Sequence, residues 1–231
     1  MRKIFVFAFA MIAAVSSVVA QDKQRIEGSG NVVTRDVPVQ SFDELSASGV
    51  FNVLLTQGDK EQVKIEAEDN LQDLFEVKNE GSKLTIKMKK DVSFNSKKKL
   101  KVYITFKKLN SMELSMVGNV SSDDNLSFSD LKIKNSSVGS VDLKMSASTI
   151  DIDNKSVGSV KLNGKAESAV IKNNGVGSIQ AASFVVQKMD IENTGVGGAE
   201  VFAEKEIKVK DSFLGKVVNK GSAVIKKKVV I

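Results

Sequence analysis

The phrase Val138-Gly139-Ser140-Val141 returns as Val157-Gly158-Ser159-Val160 and again as Val176-Gly177-Ser178-Ile179. An earlier copy stands at Val117-Gly118-Asn119-Val120, and two decayed copies at Val196-Gly197-Gly198-Ala199 and Leu214-Gly215-Lys216-Val217. Successive glycines are 21, 19, 19, 20 and 18 residues apart. A period near 20 without helical patterning specifies small β units, each too small to bury a core alone, that gain one by stacking.

Working back from each glycine, the same kind of residue recurs at the same place. Six residues before it stand Met112, Ile133, Ile152, Ile171, Ile191 and Val209, and two residues earlier Leu131, Ile150, Ala169, Met189 and Ile207. Alternation within a strand places these on one face, and the period stacks them from unit to unit. Burying one such aliphatic side chain contributes on the order of 1.5–3 kcal/mol. The next position reads Glu113, Lys134, Asp153, Lys172, Glu192 and Lys210, with the sign changing at every step. Parallel in-register strands lie about 4.8 Å apart, so this order puts opposite charges side by side and separates like ones. These columns predict an all-β chain, a right-handed parallel β-helix of roughly 20-residue coils. The regular coils are expected at about 110–218.

The position after the charges holds Leu114, Asn135, Asn154, Asn173, Asn193 and Asp211. Asparagine at a repeating turn stacks its amides and satisfies turn backbone groups, so the row reads as a structural ladder in preference to a metal or sugar site. The repeated glycines read as tight corners with positive φ. They are no phosphate cradle, because no G-x-G-x-x-G leads into a helix.

Before residue 110 the strands lose the strict period. Phe51–Leu55, Val63–Ala67, Leu84–Met88 and Leu100–Ile104 alternate or run apolar as strands do, with turns at Gln57-Gly58-Asp59 and Glu80-Gly81-Ser82. Asp69–Phe75 has the pattern of a single helical turn, and the one proline, Pro38, precedes most of the ladders. This half is expected to form irregular coils or a capping sheet at the start of the same solenoid.

The chain opens with Met1-Arg2-Lys3, continues through an apolar stretch from Ile4 to Ala14, and reaches Val18-Val19-Ala20 before Gln21-Asp22. That is the pattern of a secretory signal peptide over residues 1–20, leaving residues 21–231 as a single β-helix domain. Export commonly brings disulfides, yet the chain has no cysteine, so burial and backbone pairing must supply its stability. No later apolar segment is long enough to span a bilayer. Without Arg2 and Lys3 there remain 32 basic and 28 acidic residues, interleaved along the chain. That is no nucleic-acid footprint. The run Lys226-Lys227-Lys228 reads as protection of a terminal edge strand.

The segment from Ser41-Phe42 to Gly49-Val50-Phe51-Asn52-Val53, followed by strand pairs and glycine-punctuated coils, resembles the putative auto-transporter adhesin, head GIN domain family. The resemblance spans roughly residues 40–218. It implies a right-handed β-helix, an extracytoplasmic location and an adhesin-like role, and it carries no catalytic motif. Leu114 and Ala199 depart from the regular columns.

Histidine and cysteine are absent, which removes the usual general base, thiol nucleophile and zinc ligands. Tryptophan is absent too, and Tyr103 is the only tyrosine, a poor supply for stacking sugars. Carbohydrate-active β-helix enzymes need clustered carboxylates. The candidates are Asp151 with Asp153, and the loop Ser122-Asp123-Asp124-Asn125. Lys134 and Lys172 account for Asp153 as a ladder residue, and the loop has ordinary turn composition. No catalytic, cofactor or metal residue is therefore assigned. The expected function is an exported, non-enzymatic surface or envelope protein with an adhesin-like binding or structural role. Its partner would be a surface protein or glycan, not nucleic acid. The alternative is a polysaccharide lyase or hydrolase, or a glycan-binding β-helix.

Overall fold

The computed structural model describes residues 25–228, so the signal-peptide segment 1–20 lies outside the described residues. The fold is 66% strand and 3% helix, wound as a β-solenoid of about 6 turns of stacked parallel coils. Its regular part is carried by Leu126–Asn135, Val141–Asn154, Val160–Asn173, Ile179–Asn193 and Ala199–Asp211, each paired in parallel with the next. The predicted inner column is in register throughout: Met112 faces Ile133, then Ile152, Ile171, Ile191 and Val209. All six side chains are buried in one continuous apolar core.

Each coil bends where its pattern breaks. In Val141–Asn154 the inward residues are Val141, Leu143 and Met145, and then Ile150, Ile152 and Asn154. The alternation slips by one residue around Ser148, and that slip turns the chain from one wall to the next. The other corner needs glycine. Gly139 and Gly158 have φ of 141° and 138°. A Cβ on either would lie 2.2 Å from the carbonyl oxygen of the glycine one coil earlier. Sterics of both conformation and approach therefore fix this corner.

The asparagine column is buried and fully used. Asn135 Nδ2 donates to Asn154 Oδ1 at 2.9 Å, Asn154 to Asn173 at 2.7 Å, and Asn173 to Asn193 at 2.7 Å. Asn193 closes the ladder on the carbonyl of Gly215 at 2.6 Å. Their Oδ1 atoms also serve the turns, accepting from the Ser137 amide at 3.2 Å and from the Ser156 hydroxyl at 2.8 Å. The ladder lapses at Leu114 because its other neighbours in register are Ala47 and then Ile86, an aliphatic column. Ala199 lapses only in size: it is buried between Ile179 and Val217.

The charge column is in register as predicted, from Glu113 against Lys134 to Glu192 against Lys210. Contact is selective. Glu192 and Lys210 close to 2.8 Å, whereas Asp153 lies 3.9 Å from Lys155, just past the end of its strand, and Glu113 lies 3.3 Å from Lys83. Exposed pairs add little, roughly 0.2–1 kcal/mol each, so the column acts mainly by keeping like charges apart.

The N-terminal half combines both expected forms, in an order that differs from the chain. The coil Glu44–Val50 and Asn52–Gln57 lies between two later segments. Ser111–Val117 and Val120–Ser122 pair with it on one side, and Lys83–Met88 and Lys101–Phe106 on the other, all in parallel. Antiparallel strands then close the open end: Phe75–Glu80 on Lys83–Met88, Gln62–Glu68 on Lys101–Phe106, and Val32–Val37 outermost. The expected helical turn is a 3-10 helix, Asp69–Leu74. At the other end Ile225–Lys227 pairs only with Ala199–Asp211 among the described strands. Lys227 and Lys228 reach back from it to Asp211 and Asp190. The lysine run therefore does occupy an edge strand.

The N-terminal cap is fastened by one buried carboxylate. Glu68 is 0% exposed and accepts hydrogen bonds from the Ser96 hydroxyl and from the amides of Gly30 at 2.7 Å and Lys97 at 3.1 Å. The Ser96 hydrogen bond is the main reason its pKa is lowered, outweighing the opposing effect of desolvation.

Two measurements check these assignments. Asn173→Ala strips partners from the buried amide groups of Asn154 and Asn193, and should cost roughly 2–4 kcal/mol in urea unfolding. A loss below about 0.5 kcal/mol would contradict the ladder's role. Glu68 binds its proton less tightly when folded than when unfolded, where its pKa is about 4.3. Its contribution is thus present above that value and lost as pH falls through the lower folded value. Glu68→Gln should lower the melting temperature near neutrality and flatten its decline in acid, with both seen in a melting series across pH.

Candidate functional site

The acidic candidates lie on separate walls of the rod. Asp151 sits in register between Lys132 and Val170, and Asp153 between Lys134 and Lys172, on the outer face of one wall. Ser122 lies on another wall, where its hydroxyl accepts from the Lys144 amide at 3.0 Å. Lys144 Nζ donates to the Asp123 carbonyl at 2.9 Å, and Asn125 donates to the Ser146 hydroxyl at 3.3 Å. These contacts fasten a turn. Among the described residues no three Asp or Glu side chains converge as metal ligands.

A different feature stands out, and it comes from the first valine of each repeat phrase. Val117, Val138, Val157, Val176 and Val196 face one another in successive parallel bridges, and Val50 pairs with Val117 at the head of the row. All six point outward and are 46–51% exposed. Leu214 continues the row at 61%, its carbonyl accepting from Gly197 as Val196 does from Gly177. Beside it Phe213 is 97% exposed. Six steps of about 4.8 Å give an apolar stripe about 29 Å long on one corner of the rod. Single exposed valines need no explanation, but a contiguous stripe marks an interaction surface.

The sequence placed these valines only implicitly. Counting alternation onward from the buried Ile133 puts Asn135 and Ser137 inward and Val138 outward. The glycine that follows forces the corner and leaves the valine at its apex.

The stripe has defined surroundings. The residues two before and two after each valine of the regular coils are Ser, Thr, Asn or Gly, apart from Lys155. Lys216 holds the corresponding place after Leu214. At the head of the stripe a cleft of about 590 Å³ is lined by Val50, Val117, Val92 and Phe94, with Lys98 and Lys99 on its rim. A separate groove of about 780 Å³ runs along another wall, lined by Ser127, Phe128, Ser146, Ala147, Lys165 and Gln187. The lone tyrosine belongs to neither surface: Tyr103 donates to Glu66 at 2.9 Å, and Lys101 pairs with the same carboxylate at 2.8 Å. The Lys101 contact is foremost in lowering the pKa of Glu66. This cluster ties two strands of the cap together.

The family model described as "Putative auto-transporter adhesin, head GIN domain" matches residues 41–223. The crystal structure of a putative adhesin from Bacteroides fragilis is similar with a TM-score of 0.73 and 28% identity, covering 88% of this chain and all of that one. A putative adhesin from Parabacteroides distasonis has a TM-score of 0.65 at 21% identity, over 90% of this chain and 97% of its own. A protein from the same species described as a putative lipid binding protein has 0.59 at 20%, over 89% and 100%. The last two likenesses concern the fold. No functionally curated protein matches the chain.

Because the acidic candidates are spread over separate walls, calcium should find no seat there. Titration with millimolar calcium should leave the melting temperature unchanged, in the parent and in Asp124→Asn and Asp153→Asn alike. A calcium-dependent rise lost in either variant would restore a metal site.

Proposed function

The chain belongs to the putative auto-transporter adhesin, head GIN domain family, and from that premise we propose that it is an exported, non-enzymatic envelope or surface protein that binds a partner through its valine stripe. The single observation that carries this reading is the stripe itself: six half-exposed valines in register, continued by the exposed Leu214, along one corner of a hydrogen-bonded stack of coils. Each coil is hydrogen-bonded along its length to the next, so such a corner keeps its residues in one continuous row. The signal-peptide pattern at residues 1–20 supports export. No helix among the described residues is long and apolar enough to cross a membrane. The scattered carboxylates and the absence of histidine and cysteine support binding over catalysis.

A second reading keeps the glycan partner. The groove lined by Ser127, Ser146, Lys165 and Gln187 offers hydroxyl, ammonium and amide groups along the rod, and supports a sugar chain as ligand.

The test is retention of the mature chain on envelope fractions from the producing cells. The triple variant Val138→Ser, Val157→Ser, Val176→Ser removes side chains that are half in water and outside the core, so it should melt within a few degrees of the parent. Its retention should fall by about ten-fold or more. Unchanged retention in that variant, with loss on Ser146→Trp in the groove, would transfer the function to the glycan reading.

A further inference from the structure

We propose that the valine stripe docks this protein onto an anionic lipid surface, with the valines, Leu214 and Phe213 entering the interface and the flanking lysines meeting the headgroup phosphates. The inference rests on the stripe being the binding surface and names what it binds. It starts from the sign of the charges around the stripe. Lys98 and Lys99 rim the cleft at its head, Lys155 stands beside its middle, and Lys216 beside its far end. The rows immediately flanking the valines contain no Asp or Glu. Elsewhere the two signs alternate, as in the column Glu113, Lys134, Asp153, Lys172, Glu192 and Lys210. Lys155 shares its charge with Asp153 at 3.9 Å, whereas among the described residues no ion pair engages Lys98, Lys99 or Lys216. Apolar side chains whose flanking rows carry lysines and no carboxylates are the chemistry of an anionic bilayer surface, where each lysine near the headgroups adds to the attraction.

Shape narrows the occupant. The valines stand on one corner of the coils, each in register with its neighbours and exposed to nearly the same extent. A convex ridge about 29 Å long offers its side chains to a planar surface, whereas an extended chain is held better by a groove. At the C-terminal end Phe213 and Leu214 are the most exposed side chains of the stripe. An aromatic ring at that place suits the boundary between headgroup and acyl chain.

The same charges weigh against a second copy. In an antiparallel two-fold pairing of ridges, Lys155 at mid-length meets the same lysine of the other copy. A parallel pairing brings the Lys98–Lys99 ends together. Both arrangements set like charges face to face.

The experiment is cosedimentation of the mature chain with protein-free vesicles, either phosphatidylcholine alone or phosphatidylcholine with an equal part of phosphatidylglycerol. Partition onto the anionic vesicles should exceed that onto the neutral ones by about ten-fold or more and weaken as salt rises. Phe213→Ser with Leu214→Ser should reduce it by about ten-fold. Lys98→Gln, Lys99→Gln and Lys216→Gln together should remove the preference for the anionic lipid. Lys134→Gln, in the alternating charge column, should change nothing, and all variants should keep the parent's melting temperature within a few degrees. Equal partition onto both vesicle types, or binding indifferent to the Phe213 and Leu214 changes, would overturn the proposal. Absence of vesicle binding alongside stripe-dependent retention on envelopes would also overturn it, leaving the binding role intact and assigning the stripe to a protein or glycan. A concentration-dependent dimer in sedimentation velocity, abolished by Val157→Ser, would assign it to a second copy.

Discussion

Every other property of this molecule depends on in-register parallel stacking at about 4.8 Å per coil. In that geometry a residue's nearest partner is the residue at the same place in the next coil, so a repeated choice becomes a column. An aliphatic column becomes core, and an amide column becomes a hydrogen-bonded ladder. A glycine column becomes a corner no other residue can occupy, since a Cβ there meets the preceding glycine's carbonyl oxygen at 2.2–2.5 Å in the regular coils. The same rule makes a solvent-facing valine, repeated once per coil, into a continuous apolar edge.

The buried columns are mutually dependent. The asparagines can sit inside the rod because each amide finds the next one at 2.7–2.9 Å, which removes the penalty of burying an unpaired polar group. That bonding in turn fixes register, because a slip by one residue would leave every amide without its partner and turn the aliphatic column outward. The charges add discrimination more than strength. In Glu192 the contact with Lys210 is the leading cause of a lowered pKa, with Lys228 and Lys172 adding to it, as expected for a carboxylate between cationic neighbours.

Much of this was legible in the sequence, because periodic residues encode their own neighbours. The aliphatic column through Ile133, Ile152 and Ile171, the asparagine row and the alternating charges all appear at the positions the spacing predicts. Two things were not legible. One is the placement of Glu44–Gln57 between segments that come later in the chain. Alternation tells which face of a strand is buried and says nothing of which strand lies beside it. The other is the stripe. Valine is read as a core residue by composition, and Val141 and Val160 are indeed buried, yet Val138 and Val157 in the same phrases are half-exposed. Parity along the strand distinguishes them, and hydrophobicity does not. The register of the acidic candidates was legible as well: Asp153 stands between Lys134 and Lys172, and the Asp123-Asp124 turn lies on a different wall.

The central claim is that the repeat valines form one straight, outward-facing column. The absence of cysteine from the chain allows a direct measurement, by pulsed electron resonance between spin labels at Val117→Cys and Leu214→Cys. Five coil steps predict a single narrow distance of about 24 Å between backbones, broadened only by the label arms, with line shapes of exposed side chains. A broad distribution, a mean beyond about 40 Å, or immobilised labels would contradict a column of this register and orientation.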